Sequence, residues 1–228
     1  MNSLFSLFFP SIRAARTALA VSAAMLCCAC ATPVAQRDYT AFRESRPRSI
    51  LVMPPVNRSP EIKAPITFLA TATVPLAESG YYVIPVTLAD ETFKQNGVTV
   101  AEEAHSIELG KLREIFGADA ALYVTITRFG TSYRVLSSVV EAAASSKLVD
   151  LRTGQELWSG QATVVWDSSS NNGGGLIGML VSAIVSQIAN TISDKSHDAG
   201  RAANYRMLSA GHQNSILFGP YHPKFGTD

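Results

Sequence analysis

The three cysteines of this chain lie within nine residues, in the stretch LCCACATPV (residues 26–34). A cysteine thiol can pair in a disulfide, hold a metal ion, act as a nucleophile or carry a lipid. Which chemistry applies depends on whether Cys27, Cys28 or Cys30 remains in the mature protein. That depends in turn on where the chain is cut.

The residues that precede the cysteines are typical of an export signal. Residues 1–25 contain Arg13 and Arg16 and no acidic residue. They lead into an apolar run, 18–26, which has about the length of a signal-peptide core. This run is too short to span a bilayer, which takes roughly 20 apolar residues. We therefore expect residues 1–29 to be a signal peptide.

The cleavage site resembles the one at which bacterial lipoproteins are cut before the cysteine that becomes lipidated. Cys30 fits this pattern best, because Ala29 and Cys28 supply the small residues at −1 and −2. Cys27 at −3 departs from it, since an aliphatic residue is usual there. We predict that Cys30 is acylated, which leaves no cysteine for a disulfide or a metal site. By the same resemblance, Ala31 in place of an aspartate implies the outer membrane.

The charge of the mature chain argues against a nucleic-acid partner. The whole chain has 19 basic and 18 acidic side chains, and residues 1–29 hold two of the basic ones and none of the acidic ones. The mature chain therefore has 17 basic and 18 acidic side chains, whereas nucleic-acid binding usually takes a strongly basic domain or stripe.

A glycine-rich stretch matches the dinucleotide-binding fingerprint. Gly173, Gly175 and Gly178 have the required spacing, and Asp194 follows about where a ribose-binding acid would, roughly 20 residues on. Residues 167–172, however, separate the preceding strand from these glycines, and no second strand–helix unit follows. The context favours a flexible hinge, and we predict no cofactor.

Other catalytic patterns are missing from the sequence. The four histidines belong to no HExxH or similarly close-spaced ligand motif, and each is better explained as a surface histidine. The sequence contains neither a G-x-S-x-G elbow nor a Walker motif. We therefore predict no catalytic residue, no metal site and no enzymatic activity.

The elements of the mature chain predict an α/β fold. Residues 30–47 are polar and without a period, so we expect a tether from the lipid to a single periplasmic domain, 48–228. Within it we expect a sheet with helices over 48–167, a Gly/Ser/Asn linker over 168–175, and helices with an extended tail over 176–228.

The order of predicted elements is βα-βαα-βββ. It indicates a mixed sheet with packed helices, a sandwich of two or three layers, followed by a C-terminal helical extension. The last three strands should form an antiparallel meander. The predicted strands and helices are strand 50–53, helix 62–80, strand 81–86, helix 88–94, helix 101–116, strands 121–127, 138–149 and 154–166, and a helix over 199–210.

The apolar face of the first helix is predicted from residues that recur every three or four positions. These residues are Ile66, Leu69, Ala70, Thr73 and Ala77. We also expect Pro75 to kink or interrupt the last turn of this helix.

Two motifs give the domain a family resemblance. SILVMPPVNRSPE (49–61) and VDLRTGQELWSGQA (149–162) resemble a periplasmic lipoprotein group. This group includes the curli-secretion channel lipoprotein, the activators of penicillin-binding proteins and the amino-terminal domain of the Tol-Pal translocation protein. Within it the chain is most similar to the outer-membrane lipoprotein family typified by the meningococcal genome-derived vaccine antigen. The resemblance implies a non-enzymatic envelope module whose partners include other small lipoproteins, one of them curli-channel-like.

The most apolar stretch of the mature chain, 176–192, leaves two alternatives open. It is short of a membrane span and is predicted as a helix with a narrow polar stripe. It is either a core helix on the sheet or an interaction helix for self-association, membrane contact or a partner. The candidate partner-binding residues are Asn57, Arg58, Ile177, Val181, Ile184 and Ile188.

Two functions remain in competition at this point. The first is an outer-membrane-anchored periplasmic lipoprotein that acts as a protein-binding or assembly module, using its strand edges and the helix 176–192. The second is an accessory lipoprotein of a transport system that binds solute or lipid. The second predicts a closed apolar pocket between a helix and the sheet.

Overall fold

The computed structural model describes residues 37–134, 137–167 and 195–228. Cys30, the start of the tether, the linker 168–175 and the apolar stretch 176–192 lie outside the described residues. The compact unit described below begins at Asp38.

The described helices and strands follow the predicted order, with one helix added in front, a short strand added after the first, and one predicted helix divided in two. They are α1 (Thr40–Ser45), β1 (Ser49–Val52), β2 (Val56–Asn57), α2 (Ala64–Glu78), β3 (Tyr82–Val83), α3 (Val86–Gln95), α4 (Ala101–His105), α5 (Leu109–Phe116), β4 (Ala120–Arg134), β5 (Ser137–Asp150), β6 (Glu156–Asp167) and α6 (Lys195–Leu208).

The strands form one mixed, six-stranded sheet. Its order is β3-β1-β4-β5-β6, and β2 also pairs with β4. β1 is parallel to both β3 and β4, whereas β4, β5 and β6 form an antiparallel meander. A register shift between Ile126 and Arg128 marks a bulge in β4. The predicted mixed sheet and meander are thus confirmed.

Helices cover both faces of the sheet because β1 and the start of β4 are apolar on both sides. Ile50, Leu122 and Val124 belong to a core shared with α1, α2 and α6. Leu51 and Tyr123 belong to a second core shared with α3, α4 and α5. The fold is therefore a three-layer α/β sandwich.

The prediction of an unstructured tether up to residue 47 is wrong in its last part. Residues 40–45 form α1, and its Phe42 is only 4% exposed because it lies in the core. Ser45 Oγ donates a hydrogen bond to Asp150 Oδ2 at 2.6 Å, which joins α1 to the end of β5. The Phe42 ring and the Ser45 hydroxyl hold this short helix against the domain. Two single contacts of this kind leave no periodic pattern in the sequence from which the helix could be predicted.

Two other predicted elements are shorter in the structure. The strand expected over 81–86 comprises only Tyr82–Val83, because Pro85 cannot donate to a ladder and instead stands at the start of α3. The helix expected over 101–116 is two helices, α4 and α5. Ser106 Oγ donates to the Glu103 carbonyl oxygen at 2.7 Å and competes with the helical pattern at the break.

The C-terminal tail is packed rather than simply extended. Ile216 and Leu217 are buried in the core. The Gly219 N–H donates to the Ser79 carbonyl oxygen at 2.8 Å. A Cβ on Gly80 or on Gly219 would collide with the opposing segment, so both glycines are needed for this close approach.

Candidate interaction surface

Helix α2 carries no charged residue before Glu78, its last residue, over the sequence APITFLATATVPLAE. A helix that is apolar on all sides is normally buried on all sides. In α2 only one side is buried, against the sheet and α6. The buried residues are Ala64, Thr67, Phe68, Ala72, Pro75 and Leu76. Pro75 lies inside the helix and does not end it.

The outward side of α2 is an exposed apolar stripe. Ile66 is 69% exposed and Val74 is 47% exposed, and Ile62, just before the helix, is 88% exposed. Ala70 and Ala77 are exposed between and beyond them. We call these five residues the α2 stripe. The spacing of three or four places the last four of them along the chain on one side of the helix, and Ile62 lies in the turn just before it.

The predicted apolar face of this helix is wrong in part. Ile66, Ala70 and Ala77 were expected against the core, yet they point outward. Phe68 and Leu76 take the buried side instead. The periodicity could not decide between the sides, because both sides of α2 are apolar. The missing signal was the absence of charge between Lys63 and Glu78.

Helix α6 holds α2 in a fixed position. Gly200 lies against Thr67 and Phe129, where a side chain would collide with both. Asn204 is fully buried, and its Nδ2 donates to the Phe68 carbonyl oxygen at 2.9 Å and to Thr71 Oγ1 at 2.8 Å. The order of these contacts shows that α2 and α6 run parallel. The stripe is therefore presented by a rigid pair of helices.

The Asn57 side chain forms hydrogen bonds within the loop that leads to the stripe. Its Nδ2 donates to the Glu61 carbonyl oxygen at 2.9 Å, and its Oδ1 accepts from the Ser59 N–H at 3.0 Å and from Ser59 Oγ at 2.7 Å. Such side-chain bonds shape a tight turn. The turn places Ile62 at the start of the stripe.

Arg58 lies beside this loop on the surface. Its Nη1 is 3.3 Å from Glu102 Oε1, and both side chains are largely exposed. A partner-binding role for Asn57 and Arg58 stays a prediction. The other predicted sites, Cys30 and the candidates on 176–192 (Ile177, Val181, Ile184 and Ile188), lie outside the described residues.

A cleft of about 340 Å³ opens between α1 and the C-terminal segment. Its floor is apolar and includes Phe42, Tyr81 and Leu217, while Arg43 and Arg46 lie on its rim. The Tyr81 hydroxyl donates to the Leu217 carbonyl oxygen at 2.6 Å, and burial raises the pKa of this hydroxyl far above its usual value. The cleft is open and does not lie between a helix and the sheet, which is where the transport hypothesis places a pocket.

His105 is a half-buried histidine in the α4 layer, and the surface position expected for it is wrong. Its Nε2 donates to the Pro54 carbonyl oxygen at 2.8 Å, and its ring meets Tyr123 edge to face. Burial lowers its pKa, because the charged form is poorly solvated there. Within residues 37–134, 137–167 and 195–228, no group of three His, Cys, Asp or Glu side chains is placed to hold a metal ion. In the same ranges, no helix has the length and apolarity to cross a bilayer.

The geometry of the described residues thus defines a three-layer α/β domain that presents the apolar α2 stripe to solvent. The chain belongs to the family described as "Putative lipoprotein GNA1162-like", which matches residues 37–221. It is 49% identical over 183 residues to the putative lipoprotein NMB1124/NMB1162 of Neisseria meningitidis serogroup B, covering 80% of this chain and 85% of that one. The family resemblance of the two sequence motifs is confirmed.

A solved structure from this family has the same fold. The crystal structure of lipoprotein GNA1162 from Neisseria meningitidis has 52% sequence identity and a TM-score of 0.53, covering 64% of this chain and 100% of that chain. A PelC dodecamer from Paraburkholderia phytofirmans has 12% identity and a TM-score of 0.43, and the match covers 77% of this chain and 91% of that chain.

Proposed function

We propose that this chain is a non-enzymatic, lipid-anchored protein-binding module of the cell envelope. Acylated Cys30 holds it at the periplasmic face of the outer membrane. Membership of a lipoprotein family supports the class. The signal peptide and the cysteine pattern support the anchor and its position.

The α2 stripe is the observation that carries the protein-binding role. Contiguous exposed apolar surface is uncommon on a monomeric protein and often marks an interface. Burying a side chain such as Ile66 stabilises a complex by up to about 1.5–3 kcal/mol. An uncharged helix face of this kind is suited to packing against another helix or sheet.

The anchor limits where a partner can be. Thr40, at the start of α1, lies ten positions after Cys30, and a chain reaches at most about 3.5 Å per residue. The start of α1 therefore stays within roughly 35 Å of the lipid. More than one acyl chain makes such an anchor firm, at about 0.8 kcal/mol per buried methylene. The expected partners are other envelope lipoproteins, a curli-channel-like one among them, and further copies of the chain.

Two variants of the full chain test the role of the stripe. Ile66→Glu places a charge in the stripe, whereas Leu88→Glu places one on the exposed side of α3, where Leu88 is 63% exposed. We expect Ile66→Glu to remove complexes seen after chemical crosslinking of intact cells. Leu88→Glu should leave them in place. Equal yields from both variants would contradict the proposal.

The anchor is tested separately by the intact mass of the mature protein extracted from membranes. A chain that begins at Cys30 and carries a diacylglyceryl and an acyl group supports it. Cys30→Ser should lose the added mass and the membrane attachment. An unmodified chain that is cut elsewhere would refute the anchor and leave the stripe untouched.

A second function, an accessory lipoprotein of a transport system, would use the open cleft beside α1 in place of the closed pocket between a helix and the sheet. The apolar floor suits the tail of a small amphiphile and Arg46 on the rim suits an anionic group, while Arg43 already donates to the carbonyl oxygen of Asp228, which also lines the cleft. Lipid analysis of the purified protein would test it, with Arg46→Glu against Arg48→Glu, an exposed arginine that does not line the cleft. Lipid lost only from Arg46→Glu would support this function, and no bound lipid in the wild type would exclude it.

A further inference from the structure

We infer that the surface around the cleft beside α1 lies on the membrane that holds the lipid anchor. We call this surface, formed by α1 and residues 216–228, the α1 face. Arg46 and Lys224 bind the phosphates of anionic phospholipids, and the Tyr221 and Phe225 rings enter the headgroup layer. This inference rests on the anchor in the proposed function, and it adds which side of the domain faces the lipid.

The tether from the lipid enters the domain at this face. Thr40, the first residue of α1, stays within roughly 35 Å of Cys30 even when the chain between them is fully extended. Phe42, Arg43 and Arg46 line the cleft and follow Thr40 within roughly two helical turns. Among the described helices and strands, α1 therefore has the tightest limit on its distance from the lipid.

The charge of the α1 face complements an anionic surface. Arg43, Arg46 and Arg48 are exposed on α1 and just after it, whereas Glu44 is the one acidic residue of this helix. Lys224 adds an exposed positive charge on the C-terminal segment. Clustered lysines and arginines are attracted to anionic phospholipids, and the attraction extends over roughly 8–10 Å at physiological salt.

Arg46 is the side chain best placed to bind a phosphate. It ends α1 with φ 46° and ψ 56°, a left-handed conformation that glycine usually takes at the end of a helix. An arginine in this strained conformation indicates that its side chain has a use. Its Nε donates to the Arg43 carbonyl oxygen at 3.2 Å, while its two Nη groups have no partner among the described residues. These Nη groups can therefore donate to two oxygens of one phosphate.

Two aromatic side chains of the α1 face are exposed to solvent. Tyr221 is 66% exposed, and Phe225, which also lines the cleft, is 44% exposed. Exposed rings beside lysine and arginine are typical of surfaces that rest in the headgroup layer of a membrane. The rings and the apolar stems of the cations lie deeper there than the charged ends do.

The C-terminal segment is folded, so that its aromatic residues are held at the surface. The Tyr221 N–H donates to the Gly80 carbonyl oxygen at 3.1 Å, and the Phe225 N–H donates to the His222 carbonyl oxygen at 3.0 Å. The His222 ring stacks on Phe218 with the ring centroids 4.1 Å apart. A surface that is already ordered loses little conformational entropy when it binds.

A protein partner is a poorer occupant for the α1 face. Arginine and aromatic residues are also common in protein interfaces, so composition alone does not decide between the two. The tether decides, because it holds this face within reach of the membrane in every anchored molecule. A protein partner would have to enter the space between the two.

A photoreactive phenylalanine analogue at position 225 tests the contact in intact cells. The full chain carries the analogue in place of Phe225, and a control chain carries it in place of Leu88, an exposed residue of α3 in the opposite layer. After irradiation, the intact mass of the mature chain reports whether a phospholipid has been added. We expect phospholipid adducts from position 225 and few from position 88. Equal labelling of the two positions by lipid would overturn the inference.

The contribution of charge is tested by Arg46→Glu against Arg113→Glu. Arg113 is exposed on α5 in the opposite layer, so its replacement makes the same change of charge away from the α1 face. Each change is combined with the analogue at position 225, and the full chain is inserted through its anchor into vesicles of phosphatidylcholine and phosphatidylglycerol. We expect Arg46→Glu to lower the yield of lipid adducts by about fivefold or more, and Arg113→Glu to leave it unchanged. Equal yields from the two variants would overturn the phosphate contact.

Cys30→Ser separates the membrane from a small amphiphile held in the cleft. Without its anchor, the chain should lose the phospholipid adduct from position 225. If Cys30→Ser kept a lipid adduct in the soluble fraction, the membrane contact would be overturned and the transport hypothesis favoured.

The failure of this inference can be separated from the failure of the proposed function. An acylated chain whose position 225 is labelled by protein alone, or is not labelled, would overturn the membrane contact and leave the anchor standing. A mature chain without acyl groups would refute the anchor, and the membrane contact with it. Neither result bears on the α2 stripe, which is tested by Ile66→Glu.

Discussion

Helices α2 and α3 cover opposite faces of the same sheet, yet the residues that they expose to solvent differ in polarity. The outward side of α3 carries polar pairs around the exposed Leu88, with Lys94 Nζ 2.5 Å from Asp90 Oδ2 and Gln95 Nε2 donating to Glu91 Oε1 at 3.2 Å. The outward side of α2 carries the uncharged stripe. Pairs four residues apart are typical of a solvated helix surface. The comparison teaches why the proposed function assigns a partner to the α2 layer and solvent to the α3 layer.

The buried sides of the two helices should be equally important for stability. Phe68 of α2 packs edge to face on Phe129, and Phe93 of α3 packs on Phe116. Either Phe→Ala change should lower the free energy of unfolding by about 3–5 kcal/mol, because it leaves a cavity in a core. Denaturant titration of both variants measures this loss. A loss below about 1 kcal/mol in one of them would show that the layer in question is loosely attached.

The contact that orients α2 should come next in size. Asn204→Ala removes two hydrogen bonds to α2, one to the Phe68 carbonyl oxygen and one to Thr71 Oγ1. We expect a loss of about 1–3 kcal/mol in the free energy of unfolding. Asn204→Ala should also weaken the complexes seen after crosslinking of intact cells, since the stripe is no longer held in place. An unchanged unfolding midpoint would contradict the role given to Asn204.

Acid should weaken the α3–α5 side of the sheet before the α2 side. The pKa of His105 is held below its usual value of 6.5 by burial. The unfolded chain therefore binds a proton more readily than the native protein as the pH falls below about 6.5. Stability is full above that pH and is lost as the pH falls toward the lowered pKa of the native protein. His105→Gln should reduce the dependence of the unfolding midpoint on pH in this window. If the unfolding midpoint of His105→Gln depended on pH as steeply as that of the wild type, His105 would be excluded as the source of this pH dependence.

The smallest effect is expected on the charged side of α3. Lys94→Ala removes an exposed pair within one helix, and such pairs contribute little and are screened by salt. At high salt its unfolding midpoint should match that of the wild type. It should also leave all crosslinks from the stripe unchanged. A clear loss of stability at high salt would show that the α3 surface is not simply solvated.

The sequence predicts the layers of this fold better than it predicts their outer surfaces. The strands of the meander follow from alternation, and the buried run 50–53 follows from continuous apolarity. The outward position of Ile66 could not be read from period, because α2 is apolar on all sides and only tertiary packing selects the buried one. Phe42 reaches the core from the short helix α1 and Ile216 from an irregular segment, and neither segment is long enough or regular enough to show a period. The break at Ser106 depends on one local hydrogen bond.

The most direct test of the protein-binding role is site-specific photo-crosslinking in intact cells. A photoreactive amino acid replaces Ile66 in one chain and Leu88 in another. The two positions have similar exposure and lie on opposite layers of the sheet. The account predicts a strong protein adduct from position 66 and little from position 88. Equal labelling at both positions, or none at position 66, would contradict it.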